Sequence, residues 1–472
     1  MQYLNDVLMD FRACFSRKAA FEWFVVIIAG LLVRTDHLGV TSIIRGLLLV
    51  PDYMGLIGFF RSAAWTLEDL TAKWCALVMR YAPLIKQGDA VILVGDGVKQ
   101  AKEGRRMPGV KRQHQESEDS SKPEYMWGHL FGGIGILAGR MDKLFCLPLA
   151  LRIQGGVKTI FGWDTQPERQ TSHVTEMIRL AYETAKAFGK ALLLLDRLFL
   201  TVPALQMLDM LNRGSQMLQI VTKAKRNCVA YYPPETKAGR GRPRKKGTAV
   251  KLFSLFASEQ FLTAEISLYG KLEQVRYHCK DLLWGQGLYQ KLRFVLVQYN
   301  GTRTLLVSTD LTLEPLDIIR LYSGRFSVET MFREMKQVVC AFGYRFWSKY
   351  MPKLNRFQKK TDPEPLEQVV NQRARKRIKL AVKATEGFLL CAAIATGMLQ
   401  LISLQFSGTD ELQNIRFMRT YRRAVVSEAT TADFLRKNFF NLLHCHPNLG
   451  LTHIISAKQH LPTVACGLPT AS

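Results

Sequence analysis

The sequence predicts an α/β protein whose mixed core is followed by a β-rich insertion and flanked by helical regions at both ends. Three observations carry this. Short apolar runs separated by helical segments begin near residue 90, strand-like pieces without helical periodicity fill 224–310, and apolar segments of helical texture dominate both ends. A length of 472 residues suits two to four domains at about 100 to 200 residues each. The divisions expected are a helical module at 1–88, core at 89–223, insertion at 224–310, the last part of the core at 311–380, and a helical region at 381–472.

Composition narrows the partners. Lys and Arg number 65 against 39 Asp and Glu, a formal charge of +26 on a chain that is 48% hydrophobic. That excludes a disordered polycation and implies a folded protein with an acidic partner, either nucleic acid or an anionic membrane. The nine cysteines never pair as Cys-x-x-Cys and are too sparse for a disulfide framework, so reduced thiols in an intracellular protein are expected. Two uncharged runs bear on the membrane. Residues 23–33 are too short to span a bilayer; residues 387–406 are long enough but contain Thr396, Gln400, Ser403 and Gln405, as a central helix of a soluble core would. No membrane partner is expected.

At the N-terminus, helices are predicted near 22–33, after Thr41, after Pro51 and from Thr66, where Thr66-Leu67-Glu68-Asp69 has capping-box spacing. Two roles fit this module: a helix-turn-helix reader of DNA, or a bundle for packing or dimerisation. Strands are predicted at 91–94, 130–137, 144–153, 191–195 and 217–222, with a helix near 171–188 between the third and fourth. Three strands in a row followed by alternation is an RNase H-like order. The insertion is read as strands near 251–256, 274–278, 291–299 and 304–307. It also carries residues 237–247, with six basic residues, no acid, and glycines and a proline that oppose folding. A flexible arm for phosphates or a minor groove is expected there, with Arg240, Arg242 and Arg244 as contacts, and a solvated loop as the alternative. The last dozen residues are expected to be disordered.

Asp96 and Asp196 each end an apolar strand. Parallel strands present ligands at their carboxyl ends, so the two can converge on one crevice, although either alone is equally explained as a helix cap. In residues 322–336 the spacing Tyr322, Arg325, Glu329, Lys336 places four side chains within a sector of about 60° on a single helix, beside an apolar stripe of Val328, Phe332, Met335 and Val339. A solvated helix with i,i+4 ion pairs explains Glu329 with Arg325 or Arg333 but gives no reason for the tyrosine.

This Tyr-x2-Arg-x3-Glu-x6-Lys pattern, downstream of two strand-end aspartates and a β-rich insertion, resembles the DDE transposases of bacterial insertion sequences that carry the Y-R-E-K signature. The resemblance runs from about residue 20 to beyond 350 and takes in Ser308-Thr-Asp310, Tyr344-Arg-Phe-Trp347 and the helical N-terminus. It implies that Asp96, Asp196 and Glu329 form a metal-binding catalytic triad for two Mg²⁺ ions, with Mn²⁺ able to substitute. It further implies that Tyr322, Arg325 and Lys336 grip phosphates, and that the chain cuts transposon ends and joins them to target DNA. Double-stranded DNA and a second copy of the chain in a synaptic homodimer are the implied partners, in a prokaryotic cytoplasm, associated with the nucleoid. A tryptophan that stacks on a flipped base is also implied, and Trp284 is the candidate. Lys99, Lys102, Arg105, Arg106, Lys111 and Arg112 follow Asp96 and are candidates to line a DNA channel, interrupted by Glu116, Glu118 and Asp119. The alternative is a catalytically inactive DNA-binding relative. His444, Cys445, His446 and His453 lack common zinc spacing. Aspartyl-phosphate chemistry is disfavoured because no second aspartate stands two residues after Asp96.

Overall fold

In a computed structural model, all residues are described except 37, 116–120, 122, 141–142, 165–171, 236–243, 269, 358–363, 416–423 and 460–472. The chain opens with helices α1 (Gln2–Met9), α2 (Lys18–Val33), α3 (Ser42–Gly46), α4 (Tyr53–Arg61) and α5 (Leu67–Tyr81). The first of these was not expected from the sequence. At α5 the Thr66 hydroxyl accepts from the Asp69 amide at 3.0 Å, and donates to the Asp69 carboxylate at 2.6 Å. The acid therefore caps the hydroxyl instead of reaching back to the Thr66 amide.

Strands β1 (Lys86–Gln87), β2 (Ala90–Ala101), β3 (Lys111–His114), β4 (Tyr125–Arg140) and β5 (Lys143–Ile153) follow, then α6 (Lys158–Gly162) and α7 (His173–Ala185). Next come β6 (Lys190–Leu194), α8 (Val202–Leu211) and β7 (Leu218–Lys223). Within this set the order is β5-β4-β2-β6-β7. β4 is antiparallel to both of its neighbours, β5 and β2, while β6 and β7 run parallel to β2. Leu-Leu-Leu runs buried on both faces suit the central position of β6, and α7 with its Ser172 cap closes the crossover that parallel pairing requires.

The second half of the sheet is built by β8 (Val229–Tyr231), β9 (Ala249–Lys251), β10 (Leu262–Leu268), β11 (Lys271–Trp284), β12 (Gln290–Tyr299) and β13 (Thr302–Ser308), with the single turn α9 (Leu255–Ser258) between β9 and β10. The stretch 251–256, expected as a strand, is mostly a 3-10 turn running into α9, because Leu252, Leu255 and Phe256 recur at helical spacing and bury together. These strands are continuous with the core sheet, since β13 pairs antiparallel with β7 through Leu306 opposite Lys223 and Ser308 opposite Val221. A second small core of Leu205, Leu282, Phe294 and Leu305 sits under this half.

The chain then forms α10 (Pro315–Ser323), α11 (Ser327–Gln337), α12 (Gln372–Phe406), α13 (Asp410–Asn414), α14 (Glu428–Cys445) and α15 (Gly450–Ser456). Helix α12 is long and apolar enough to cross a membrane by length and composition, but nearly all of its apolar stretch is buried against β5, α2, α4, α5 and α14. Helix α7 covers one face of the sheet and α11 the other. A methyl group at Gly95 would meet Met177 of α7, while one at Gly133 would come 2.8 Å from the ring of Phe332 on α11. None of the eight described cysteines forms a disulfide.

Candidate active site

The two aspartates stand at the same level, although only Asp196 follows a strand end: β2, expected to stop before Asp96, continues through it to Ala101 because residues 96–101 stay paired with β4. Val94 and Leu194 are partners in the parallel β2/β6 ladder, and Asp96 and Asp196 each lie two residues beyond that pair. Neither carboxylate caps a helix. Asp96 takes the amide of Gly97 at 2.7 Å, and Asp196 begins a 3-10 turn without a side-chain bond to it. The backbone of Asp196 is fixed instead, its carbonyl accepting from the Thr222 hydroxyl at 2.8 Å and from the Phe199 amide at 3.0 Å.

The segment 322–336 is not the single helix expected: a 3-10 turn at Gly324–Phe326 joins α10 to α11. Tyr322 is buried, and its hydroxyl donates to the carbonyl of Leu195 at 3.0 Å. It does not stand in a solvent-facing row with the other three; it pins the residue before Asp196. Arg325 is nearly buried and forms ion pairs with two acids, Asp96 and, at 2.7 Å, Glu329. Glu329 is about half exposed, and Lys336 is exposed on the last turn of α11. Val328, Phe332, Met335 and Val339 are buried, and they seat α11 on the glycines of β4.

The electrostatics follow from this packing. Burial lifts the Asp96 carboxyl above its ordinary value; Arg325 and the Gly97 amide oppose the shift, and the charges of Asp196 and Glu329 add to it. Burial works against the Arg325 charge, but Asp96, Tyr322, Asp196 and Glu329 together raise it above its usual value. Asp96 is thus coupled to both other acids.

One residue of this neighbourhood was missed in the sequence. Lys223 ends β7, lies 5.4 Å from the centre of the Tyr322 ring, and is held below its ordinary pKa by burial, with Asp196 opposing. Applying the strand-end rule to the third parallel strand would have found it. His173, at the start of α7, lies 3.0 Å from where a methyl group at Gly97 would stand, on the sheet face away from the Asp96 side chain, with its ring tilted against Phe199; Gln154 receives its Nδ1 proton.

Other candidates lie elsewhere or serve the fold. Trp284 is half-buried beside the second core, with its indole N–H 3.2 Å from the Cys228 sulfur. Arg244 is exposed, and Arg240 and Arg242 lie outside the described residues, as do Glu116, Glu118, Asp119 and the C-terminal dozen. Of the basic residues after Asp96, Lys102 donates to the carbonyls of Phe342 and Tyr344, and Arg106 to those of Lys349 and Met351, so both tie the loop to the chain after α11. Among the described residues no three His, Cys, Asp or Glu side chains converge closely enough to hold a metal ion, and this includes His444, Cys445 and His446. The donor chemistry of Asp96, Asp196 and Glu329, all hard oxygens, suits a divalent cation. As arranged here, Arg325 takes the charge of two of them.

A family model described as DDE superfamily endonuclease matches residues 10–124. The match supports a DDE transposase-like protein. It spans the helical N-terminus, β2 and Asp96, and it ends before Asp196 and Glu329. A nuclease-type enzyme acting on DNA accords with it, and the mixed α/β sheet is consistent with a DDE nuclease-type fold. No curated protein and no solved structure matches the chain.

Proposed function

We propose that this chain is a DDE transposase of the Y-R-E-K type, with an RNase H-like core, that moves an insertion sequence by cut-and-paste transposition. The observation that carries the proposal is the level placement of Asp96 and Asp196 on adjacent parallel strands, with Glu329 tied to Asp96 through Arg325. The strand order β5-β4-β2-β6-β7 supports the core assignment. In this reading Asp96, Asp196 and Glu329 would hold Mg²⁺, or Mn²⁺, which supplies activation of the attacking oxygen and stabilisation of the leaving one. The chain's own groups do the rest. Arg325 exchanges its carboxylates for the phosphate beside the scissile bond, Tyr322 keeps Asp196 at its height, and the exposed Lys336 reaches a neighbouring phosphate. Double-stranded DNA ends and target DNA are the substrates, two copies of the chain form the synapse, and the setting is the bacterial cytoplasm at the nucleoid. The basic arm around Arg240, Arg242 and Arg244, and Trp284, are proposed as further DNA contacts.

The test is cleavage of a labelled duplex carrying the DNA that flanks this gene, with Mg²⁺ or Mn²⁺ and without either. Metal-dependent cuts at a defined boundary, absent for Glu329→Gln and Asp196→Ala, are expected. Binding by all three proteins without cutting by any would instead indicate an inactive DNA-binding relative.

A further inference from the structure

The amino-terminal part of α12 is unlike the rest of that helix. Residues 372–385 contain Arg373, Arg375, Lys376, Arg377, Lys379 and Lys383 and no acid. Two contacts fix how this stretch sits. The Ile153 amide, at the carboxyl end of β5, donates to the Glu386 carboxylate at 2.9 Å, and the Gln400 amide donates to the Cys146 carbonyl, nearer the start of β5, at 3.2 Å. Helix α12 therefore runs antiparallel to β5. Pairing carries the level across the sheet: Asp96 faces Gly133, Gly133 faces Leu151, and Ile153 is two residues further on. The fourteen residues before Glu386 thus run on past the level of Asp96, in the direction in which β2 itself continues to Ala101, for about 21 Å at 1.5 Å per residue.

The cations divide into two sets. Arg375 lies over the Trp163 ring at 5.2 Å and donates to the Val369 carbonyl; Lys379 pairs with Asp164; Lys383 donates to the carbonyls of Ser62 and Trp65. These three anchor this stretch of α12 and, with Lys376, line a concavity of about 420 Å³ whose walls include one acid, Asp164. Arg373, Lys376 and Arg377 are exposed. Their i, i+3, i+4 spacing puts them within about 100° of one another, opposite the buried Ala374, Ile378 and Ala381.

We infer that this exposed basic face is a second binding surface for the phosphodiester backbone of duplex DNA, engaging it beyond the segment that enters the carboxylate site. From Arg373 to Arg377 the exposed set spans about 6 Å, roughly two base pairs at 3.4 Å each. The anchored set fixes the helix while the exposed set meets phosphates, so the surface is preorganised and indifferent to sequence. The inference deepens the DNA-processing reading and rests on it for the identity of the polyanion.

The experiment measures anisotropy of a labelled 40-base-pair duplex of random sequence across a salt series. It compares the wild type, a triple variant Arg373→Ala, Lys376→Ala, Arg377→Ala, and a charge-matched control Lys186→Ala, Lys190→Ala, Arg213→Ala. The control residues are exposed, near the opposite edge of the sheet at the start of β6 and its neighbours. The α12 variant is expected to bind at least tenfold more weakly, with a log-log salt slope shallower by about 0.9 for each phosphate that is no longer neutralised; the control should keep the wild-type slope. A Lys version of the two arginines should retain the slope, which separates charge from damage to the fold. Unchanged slope in the α12 variant, or equal losses in both triple variants, would overturn the inference. Metal-dependent cutting by the wild type is scored separately, so a failed catalytic assignment is visible apart from a failed binding surface.

Discussion

Arg325 holds Asp96 and Glu329 at once, one terminal nitrogen on each carboxylate, although 229 residues separate it from the first and only four from the second. A guanidinium can do this because its two terminal nitrogens diverge in a fixed plane. Arg325→Lys is therefore expected to fail despite keeping the charge. Cleavage by the lysine variant should fall by at least about a hundredfold, and DNA binding should change much less. Near-normal cutting by Arg325→Lys would show that the bridge is dispensable.

Gly133 is opposite Asp96 and beneath Phe332, where an added methyl group would stand 2.8 Å from the ring. Gly133→Ala should lift α11 off the sheet and destabilise the fold by about 1–3 kcal/mol. The double variant Gly133→Ala, Phe332→Leu should recover part of that loss in denaturant unfolding. Strict additivity of the two changes would mean that the ring does not set the spacing.

Buried Arg34, at the end of α2, donates to the carbonyls of Val339 and Cys340 at 2.7 and 2.9 Å, where α11 stops and Cys340 adopts a positive φ of 52°. Arg34→Met leaves these oxygens without their donor and should cost about 1–3 kcal/mol. Cleavage should fall with it, because the helix bearing Glu329 loses its anchor. A stable variant with full activity would separate the two.

His129 is fully buried between the Tyr344 hydroxyl at 2.6 Å and the Pro108 carbonyl at 2.9 Å, so Nε2 carries the proton and Nδ1 accepts. Burial pushes its pKa down to about 4. The unfolded chain binds this proton near pH 6.5 and the folded one does not, so stability is fully present above about 6.5 and is lost as pH falls toward 4, on the order of 3 kcal/mol in all. Urea midpoints at pH 7.5 and 5 should shift relative to one another by less in His129→Gln than in the wild type, the variant losing less stability at the lower pH.

Glu386 behaves in the opposite sense. Its fully buried carboxyl is raised by burial, so the folded chain holds a proton that the unfolded one has released, and stability falls as pH rises from the ordinary carboxyl range toward neutral. Glu386→Gln can still accept from the Ile153 amide. The variant should gain on the wild type as pH increases from 5 to 8, and a constant difference between them would refute the assignment.

What the sequence made legible was what local pattern encodes. Asp96 and Asp196 were visible because each closes an apolar run, and Arg325 with Glu329 because an i,i+4 step within an amphipathic helix needs no knowledge of the fold. Tyr322 was read as facing solvent, whereas it is buried with its hydroxyl on the Leu195 carbonyl, and no composition signal marks that contact. The strands after residue 224 read as an insertion, and their edge joins the core through β7 by a pairing between residues 83 to 87 apart. The course of α12 past the level of Asp96 depends on which strands pair, and this exists only after the sheet has formed.

The turn at 338–340 receives Arg34 from near the start of the chain and Arg436, whose guanidinium donates to the Val338 carbonyl at 2.7 Å, from near its end. During synthesis, then, the helix that bears Glu329 leaves the ribosome roughly a hundred residues before its second clamp is made. Until α14 has been made, the carboxyl end of the helix that carries Glu329 is held from one side only, so the geometry proposed for cutting depends on a contact supplied late in the chain.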